Sequence, residues 1–339
     1  MMRRILVVNV NWIGDVIFSS PVFKALKDQY PGARISCLAV PRVREVLEST
    51  PCVDDIIVYD EKGRHRNPLA KIGLIVQLRR KKFDTAFLLH RSLTRCLLTY
   101  WAGIPKRVGY DEKGRGRYLT HLSEFPTEDL HRSDHYLNII ESYGVQVEDR
   151  RCSLTVSPEA QSEVKAMLGA ENIHDGDYVV AVNAGGNWDL KRWPQDRFTL
   201  LVERLMRQPR VKVVLPGAAR DAPMIRKITA PLTHKPANFV GRTNLKQLLA
   251  LLQRADVVVT ADSGPMHMAS GVGTDVVGIF GPTRPEITGP RGGGRAAILQ
   301  YDVGCNREAC YHIKCPDNIC MKAVTVDDVL KEIEKFRNP

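Results

Sequence analysis

The sequence has no apolar run long enough to cross a bilayer. Its longest runs, such as ILVVNV at 5–10, are about six residues, whereas a spanning helix needs about 20. The N-terminus, MMRRILVVNVNWIGD, is charged at its start, but no small-residue cleavage site follows its short apolar run. We therefore expect a buried first strand rather than a signal peptide, and a cytoplasmic protein.

The first apolar run is followed by NWIGD at 11–15 and not by the GxGxxG fingerprint of dinucleotide-binding folds. This absence argues against a dinucleotide-dependent oxidoreductase, and we expect no cofactor. The turn contains Asp15 instead, which places a carboxylate where a phosphate-binding loop would lie. Asp15 could accept a proton from a substrate hydroxyl. Alternatively, it could serve only to cap a helix.

Aromatic residues make up only 7% of the chain and do not alternate with its basic residues. The net charge is +11, and residues 62–117 contain fifteen Lys or Arg against Asp84, Asp111 and Glu112. Binders of single-stranded nucleic acid stack bases on aromatic side chains, so nucleic acid is not the expected partner. We interpret the segment as a surface for anionic headgroups or an anionic glycan, with solvated helix faces as the alternative.

The eight cysteines include no CxxC pair. Cys305, Cys310, Cys315 and Cys320 are five residues apart, a spacing that matches neither a common zinc motif nor a ferredoxin run. Four thiols this close could bind a metal, pair as disulfides or stay free. We favour free thiols. The spacing gives no reason to expect a metal, and stable disulfides are rare in the cytosol.

Short apolar runs alternate with amphipathic segments in both halves of the chain. Strands are predicted at 4–10, 34–40, 55–59, 84–89, 107–110, 178–183, 211–215, 256–260, 276–280 and 297–301, and helices at 16–30, 131–145, 158–169, 195–207, 221–230, 244–253, 264–271 and 325–336. This alternation predicts two α/β domains with doubly wound parallel sheets, at 1–155 and 156–339. Ligands bind such sheets at the carboxyl ends of their strands, so we expect the site in a cleft between the domains.

The stretch ADSGPMHMASGVG at 261–273 contains the densest group of candidate binding residues. Ser263 is expected to cap a helix and Pro265 to lie in its first turn, while Gly264 leaves the backbone open to a ligand. The free N–H groups of such a helix start suit a diphosphate, and Gly281 follows the next strand at the same edge. The alternative is a capped helix that binds nothing.

Two more loops follow predicted strands. NAGGNWDLKRWP at 183–194 contains Lys191, whose ammonium could neutralise a phosphate. LPGAARD at 215–221 contains Asp221, whose carboxylate could accept hydrogen bonds from sugar or ribose hydroxyls. Alternatively, Lys191 could be an ordinary surface lysine and Asp221 could cap a helix.

These motifs resemble those of the ADP-heptose-dependent lipopolysaccharide heptosyltransferases, which belong to glycosyltransferase family 9. The resemblance covers nearly the whole chain: NWIGDVIFSSPVFKALK from residue 11, WAGIPKRVGYDEKGRGRYLT at 101–120, KRWP at 191–194 and DSGPMHMASGVGTDVVGIFGPT from 262. It implies a GT-B fold, two Rossmann-like domains, with the acceptor on the N-terminal domain and the ADP-sugar on the C-terminal one. It also implies inverting, metal-independent transfer of L-glycero-D-manno-heptose from ADP-heptose.

By motif position, the resemblance implies a catalytic carboxylate at Asp15 and a phosphate-binding ammonium at Lys191. It implies that the ADP-sugar is bound by Asn183, Asp221, Asp262, Ser263, Gly264, Pro265, His267 and Gly281. Ser263 stands where some family members have Thr, which keeps the hydroxyl. At 183–187 the chain has NAGGN where some members carry hydroxyl side chains, so backbone contacts are expected there.

The implied partners are ADP-heptose and an inner-core lipopolysaccharide acceptor, reached by peripheral association with the inner membrane. One alternative is a GT-B transferase or 2-epimerase that uses another sugar nucleotide, which a comparison of donors would distinguish. Another is a non-enzymatic binder of anionic surfaces, which predicts salt-sensitive binding and no role for Asp15 or Lys191.

Overall fold

The computed structural model describes residues 2–305, 310 and 315–338. The chain divides into two compact units, Met1–Leu154 and Thr155–Pro339. Each unit contains a six-stranded sheet whose neighbouring strands are all parallel. None of the helices in these ranges has both the length and the apolar character that crossing a membrane requires.

The first unit has the strand order β3-β2-β1-β4-β5-β6. Its strands are β1 (Arg4–Val8), β2 (Arg34–Ala39), β3 (Asp55–Val58), β4 (Thr85–Leu88), β5 (Lys106–Tyr110) and β6 (His121–Ser123). Its helices are α1 (Ile13–Phe18), α2 (Ser20–Gln29), α3 (Arg44–Glu48), α4 (Pro68–Arg80), α5 (Leu93–Trp101) and α6 (Arg132–Glu141), with 3-10 turns at Pro41–Val43, Arg64–Arg66 and Gly116–Tyr118. The direction in which successive strands are added reverses between β1 and β4.

The second unit repeats this order from the opposite edge, as β12-β11-β10-β7-β8-β9. Its strands are β7 (Tyr178–Asn183), β8 (Val211–Leu215), β9 (Ala237–Asn238), β10 (Val257–Ala261), β11 (Asp275–Ile279) and β12 (Ala296–Leu299). Its helices are α7 (Pro158–Ala170), α8 (Gln195–Met206), α9 (Ala222–Thr229), α10 (Leu245–Arg254), α11 (Gly264–Gly271), α12 (Pro285–Thr288), α13 (Ile319–Ala323) and α14 (Val326–Arg337), with 3-10 turns at Asp189–Lys191 and Ala219–Asp221. Here the reversal lies between β7 and β10.

The central strands are mostly apolar because helices cover both faces of each sheet. Every residue of β10 is buried, as are all but the first of β1 and β7. Side chains cap several of the covering helices. Thr325 and Asp328, for example, form a reciprocal capping pair at the start of α14. The predicted doubly wound α/β fold is confirmed.

Two predicted helices differ from the observed ones. The predicted helix 16–30 is split into α1 and α2 at Ser19, whose hydroxyl donates to the Val16 carbonyl 2.7 Å away. The predicted helix 131–145 ends at Glu141. The edge strands β6 and β9, which have three and two residues, are too short for a periodic pattern to predict.

Candidate active site

The polar groups of the second unit gather where its strand order reverses, which is where open α/β sheets bind ligands. Asn183 ends β7 and is the register partner of Thr260 in β10. The Asn183 side-chain amide donates to the Thr260 hydroxyl at 3.0 Å and to the Ser263 hydroxyl at 3.3 Å. These buried hydrogen bonds fix the loop that leads from β10 into α11.

Ser263 occupies the N-cap position of α11, but its side chain does not perform the predicted capping role. Its hydroxyl is 3.0 Å from that of Thr260, and within the described part of the chain it forms no capping hydrogen bond. Gly264 and Pro265 form the first two positions of the helix. Pro265 has no N–H, and the Met266 N–H donates to the Ser263 carbonyl at 3.1 Å. Among the described residues, the Gly264 N–H is therefore the first-turn donor that keeps its capacity to donate to an anion.

Asp262 is the centre of a buried polar cluster beside the same helix start. The Lys191 ammonium lies 2.6 Å from Asp262 Oδ2, and the Thr288 hydroxyl donates to the same oxygen at 3.2 Å. His267 Nε2 lies 3.6 Å from the other oxygen, Oδ1. The side chain of Asp262 is only 5% exposed, whereas that of Lys191 is 24% exposed. The ammonium is therefore both paired and accessible to a ligand.

The cluster keeps Asp262 ionised. Burial alone would raise the pKa of this carboxyl, but the hydrogen bond and charge of His267 and the charge of Lys191 outweigh it. The net effect is a pKa well below the usual range of an aspartate. At neutral pH the site thus contains a charged carboxylate that orients Lys191, and an incoming phosphate can share or replace this pairing.

Asp221 is buried at the end of the loop after β8. Its Oδ2 accepts a hydrogen bond from the Ala218 backbone N–H at 2.9 Å. A Cβ placed on Gly185 would lie 2.6 Å from that same oxygen, so the loop after β7 passes directly over the carboxylate. Asp221 occupies the N-cap position of α9, but within the described residues its side chain makes no capping hydrogen bond to that helix. The carboxylate instead stabilises the preceding 3-10 turn, and its contact with a ribose stays a prediction.

Gly281 packs against α13. A Cβ at this position would lie 2.5 Å from Met321 Sδ and 3.0 Å from Cys320 Sγ, so the close approach of α13 requires glycine whether or not a ligand contacts it. Burial raises the pKa of the Cys320 thiol, which keeps it protonated at neutral pH.

The four clustered cysteines Cys305, Cys310, Cys315 and Cys320 are free thiols. Cys305 is exposed and the other three are half-buried. No group of three or more His, Cys, Asp or Glu side chains suited to a metal is found in 2–305, 310 and 315–338. The absence of a metal from the protein stays a prediction.

In the first unit, Asp15 lies in the first turn of α1, just beyond the end of β1. Tyr136, which is buried in α6, donates its hydroxyl to Asp15 Oδ1 at 3.0 Å, and Arg132 Nε lies 3.9 Å from the same oxygen. Burial, and then the charge of Asp15, raise the pKa of Tyr136 well above its usual value, so the phenol remains a donor. The Asp15 side chain is 30% exposed, and a substrate hydroxyl can reach it.

A buried arginine holds the loop that precedes Asp15. Arg95 is fully buried, donates to the Asn9 carbonyl and the Asn11 side chain at 2.7 Å each, and pairs with Glu61 at 3.2 Å. These groups follow β1 and β3, so α5 ties together the loops that surround the start of α1. Arg95 therefore positions the backbone on which Asp15 sits.

The interpretation of the whole segment 62–117 as a surface is wrong for two of its arginines. Arg95 and Arg115 are both fully buried, and Arg115 donates to the Tyr110 and His90 carbonyls. Burial, followed by the charges of Arg95 and Arg115, lowers the pKa of His90 to about 3. Its neutral Nδ1 accepts the Ser92 backbone N–H at 3.0 Å.

A model of the family described as glycosyltransferase family 9 (heptosyltransferase) matches residues 72–317. The chain belongs to glycosyltransferase family 9. Lipopolysaccharide heptosyltransferase 2 of Salmonella typhimurium is 28% identical to it over 309 residues, which cover 85% of either chain. The enzyme of the same name from Escherichia coli is 28% identical over 314 residues, again 85% of each.

Solved structures of family 9 proteins share the fold. A family 9 glycosyl transferase from Veillonella parvula superposes with a TM-score of 0.89 at 25% identity, over 98% of this chain and 97% of that one. The ADP-heptose lps heptosyltransferase II of E. coli superposes with a TM-score of 0.81 at 24% identity, over 98% of both chains. This family 9 member is therefore a glycosyl-transferring enzyme with the GT-B fold.

Several residues of the two polar clusters were not predicted from the sequence. Tyr136 and Arg132 approach Asp15 from a helix more than a hundred residues away, and Thr288 approaches Asp262 from the short helix α12. None lies in a recognisable motif. Arg95 had one available signal, because a lone arginine followed by Cys96, Leu97 and Leu98 in an apolar helix indicates a buried, paired charge.

Proposed function

We propose that the enzyme transfers L-glycero-D-manno-heptose from ADP-heptose to the inner core of lipopolysaccharide, with inversion and without a metal. The observation that carries this proposal is the ion pair of Lys191 and Asp262 beside the uncapped start of α11, in a chain of the heptosyltransferase family. The name of the E. coli structural neighbour supplies the donor, and the names of the curated relatives supply the acceptor.

The second unit is suited to the diphosphate of the donor. A diphosphate at the start of α11 would accept hydrogen bonds from the Gly264 N–H and from the Lys191 ammonium, at the positive end of the helix dipole. These two sources of positive charge stabilise the negative charge that develops on ADP as it leaves. Asp262 keeps Lys191 in place while the site is empty.

The first unit is suited to activate the acceptor. Asp15 Oδ1 is held by Tyr136 and faces Arg132, whereas no hydrogen bond to Oδ2 occurs among the residues that the structure describes. Oδ2 can therefore accept the proton of an acceptor hydroxyl. The positive charge of Arg132 suits the phosphates and acidic sugars of an inner-core glycan.

The reaction then follows as a single displacement. Asp15 takes the proton of the acceptor hydroxyl, and the oxygen attacks the anomeric carbon of the heptose from the face opposite ADP. The new carbon–oxygen bond forms as the bond to the β-phosphate oxygen breaks, and its electron pair leaves with ADP. Attack from the opposite face inverts the configuration at that carbon.

A direct test compares donors with one acceptor preparation. Purified protein is incubated with truncated inner-core acceptors and ADP-heptose, UDP-glucose or UDP-N-acetylglucosamine, and the products are analysed by mass and anomeric configuration. We expect a heptosylated product with inverted configuration from ADP-heptose alone. Transfer from a UDP-sugar only, epimerisation of a nucleotide sugar, or salt-sensitive glycan binding without turnover would each contradict the proposal.

The assay should also compare metal-free buffer containing a chelator with buffer containing Mg²⁺. We expect equal turnover, because the Lys191 ammonium and the start of α11 supply the positive charge that a metal ion otherwise provides. Loss of turnover in the chelator, restored by the metal, would contradict the metal-independent mechanism.

A further inference from the structure

Helix α4 has two apolar faces, and only one of them is covered. Leu74 and Leu78 are buried in the core of the first unit. Leu69, Ile72 and Val76 lie on the opposite side of the helix and are 74%, 55% and 39% exposed. A surface helix ordinarily presents polar side chains to water on that side, so this stripe needs a partner.

One aromatic residue lies beside the stripe. Trp101, at the end of α5, is 50% exposed. Arg79 lies two turns beyond Ile72 on the same side of α4, and its guanidinium donates to the Trp101 carbonyl at 2.5 Å. Of the twelve large apolar side chains exposed in 2–305, 310 and 315–338, four are thus found on these two neighbouring helices: Leu69, Ile72, Val76 and Trp101.

Basic residues surround this surface. Between Glu61 and Asp84 the sequence has no acidic residue and eight basic ones: Lys62, Arg64, Arg66, Lys71, Arg79, Arg80, Lys81 and Lys82. Lys81 pairs with Asp55, whereas no ion pair with a carboxylate engages Lys71, Arg80 or Lys82 within the described ranges. A cavity of about 250 Å³ between the ends of α4 and α5 is lined by Arg79 and Lys82.

We propose that this α4–α5 surface docks the enzyme on a bilayer rich in anionic lipid. Leu69, Ile72 and Val76 would enter the boundary between headgroups and acyl chains, with Trp101 at the level of the headgroups. The surrounding Lys and Arg side chains would contact lipid phosphates. This inference rests on the proposed function only in that a lipid-linked acceptor would be presented at such a surface.

Charge distinguishes a bilayer from the other possible occupants. In a symmetric dimer through this face, the same surface of both copies would meet. Basic residues such as Arg79 and Arg80 would then face the basic residues of the other copy, and like charges repel. A nucleic acid would satisfy the charges but leave Leu69, Ile72 and Val76 in water. An anionic bilayer offers phosphates and an apolar boundary together.

The test is binding of the full chain to vesicles, without nucleotide sugar or glycan. Sedimentation with phosphatidylcholine vesicles is compared with sedimentation with an equal mixture of phosphatidylcholine and phosphatidylglycerol. We expect strong binding only to the mixture, reduced by added salt because the charges are exposed. Equal binding to both compositions would overturn the proposal.

Two variants probe the apolar and basic components separately. The variant L69Q/I72Q/V76Q should bind mixed vesicles at least about tenfold more weakly. The variant R80Q/K82Q should bind roughly 25-fold more weakly at low salt, at about fivefold per charge. The matched surface controls L200Q on α8 and R226Q/K227Q on α9 should bind as the wild type does.

Thermal unfolding would establish that each variant is folded, since every substituted side chain is exposed. Wild-type binding by both test variants would overturn the proposal. A second result would also overturn it: a dimeric wild type together with an L69Q/I72Q/V76Q variant that is monomeric but still binds vesicles. The surface would then be an interface with a second copy of the chain. On a water-soluble acceptor, L69Q/I72Q/V76Q should keep the wild-type rate. Failure of all transfer from ADP-heptose would refute the donor assignment. The proposal for the α4–α5 surface would still be tested independently by the vesicle binding.

Discussion

Replacing Lys191 by Met removes a charge whose partner carboxylate is almost fully buried. The ammonium lies 2.6 Å from Asp262, whose side chain is 5% exposed against 24% for Lys191. Breaking a fully buried pair costs about 3–5 kcal/mol and an exposed one about 0–1 kcal/mol, so we expect this partly buried pair to cost about 2 kcal/mol of unfolding free energy at neutral pH. The contacts of Asp262 with His267 and Thr288 limit the loss.

The cost should depend on pH in a defined direction. Folding lowers the pKa of the Asp262 carboxyl below its ordinary value of 3.8, so the pair stabilises the folded state fully above pH 3.8. That stabilisation is lost as the pH falls towards the folded pKa. In the variant the carboxyl takes up its proton at a higher pH, so the difference in unfolding free energy between the two proteins shrinks as the pH is lowered below 3.8.

The same substitution should weaken donor binding. A hydrogen bond from a charged group contributes about 1.5–3 kcal/mol, which corresponds to roughly 10–150-fold in the Kd for ADP. Calorimetric titration with ADP and denaturant unfolding at neutral and acid pH would measure the two effects independently. The control is Lys227→Met, an exposed lysine of α9. Wild-type affinity for ADP in Lys191→Met, or stability equal to that of Lys227→Met, would refute this account of the cluster.

Two further substitutions test the surroundings of the site. Gly185→Ala should cost about 1–3 kcal/mol of stability and weaken ADP binding, since its Cβ would lie 2.6 Å from Asp221 Oδ2. Thermal unfolding of Gly186→Ala, whose Cβ would meet no atom closer than 4.0 Å, provides the control, and equal melting of the two variants would contradict the close packing. Tyr136→Phe should lower kcat roughly tenfold without changing the KM for the donor, because Asp15 loses one orienting hydrogen bond; an unchanged kcat would remove Tyr136 from that role.

The alternation of apolar runs and amphipathic segments was enough to predict the two parallel sheets. Strand cores such as YVVAVN at 178–183 are long enough to show their pattern and are buried on both faces. The prediction of one continuous helix at 16–30 was wrong. The apolar periodicity continues through Ser19, where a side-chain hydrogen bond to Val16 interrupts the helix. β9, with two residues, has no pattern at all.

The candidate site was predictable only where its residues follow a strand. Lys191 and Asp262 were both expected near a phosphate, but their pairing joins residues 71 apart and depends on the register of β7 with β10. Arg95 was counted as part of a basic surface, because sequence alone does not distinguish a charge that faces water from one that binds the backbone of Asn9.

The central claim is that Asp15 is the base of an ADP-heptose-dependent transfer. Asp15→Asn keeps the volume of the side chain and an oxygen that can accept from Tyr136, yet it cannot take a proton. Single-turnover transfer from ADP-heptose and the Kd of ADP-heptose should be measured together in wild type and variant. The account predicts transfer slowed by about 10²–10⁴-fold with an unchanged Kd. Transfer within a few-fold of wild type, or a loss explained entirely by weaker donor binding, would contradict it.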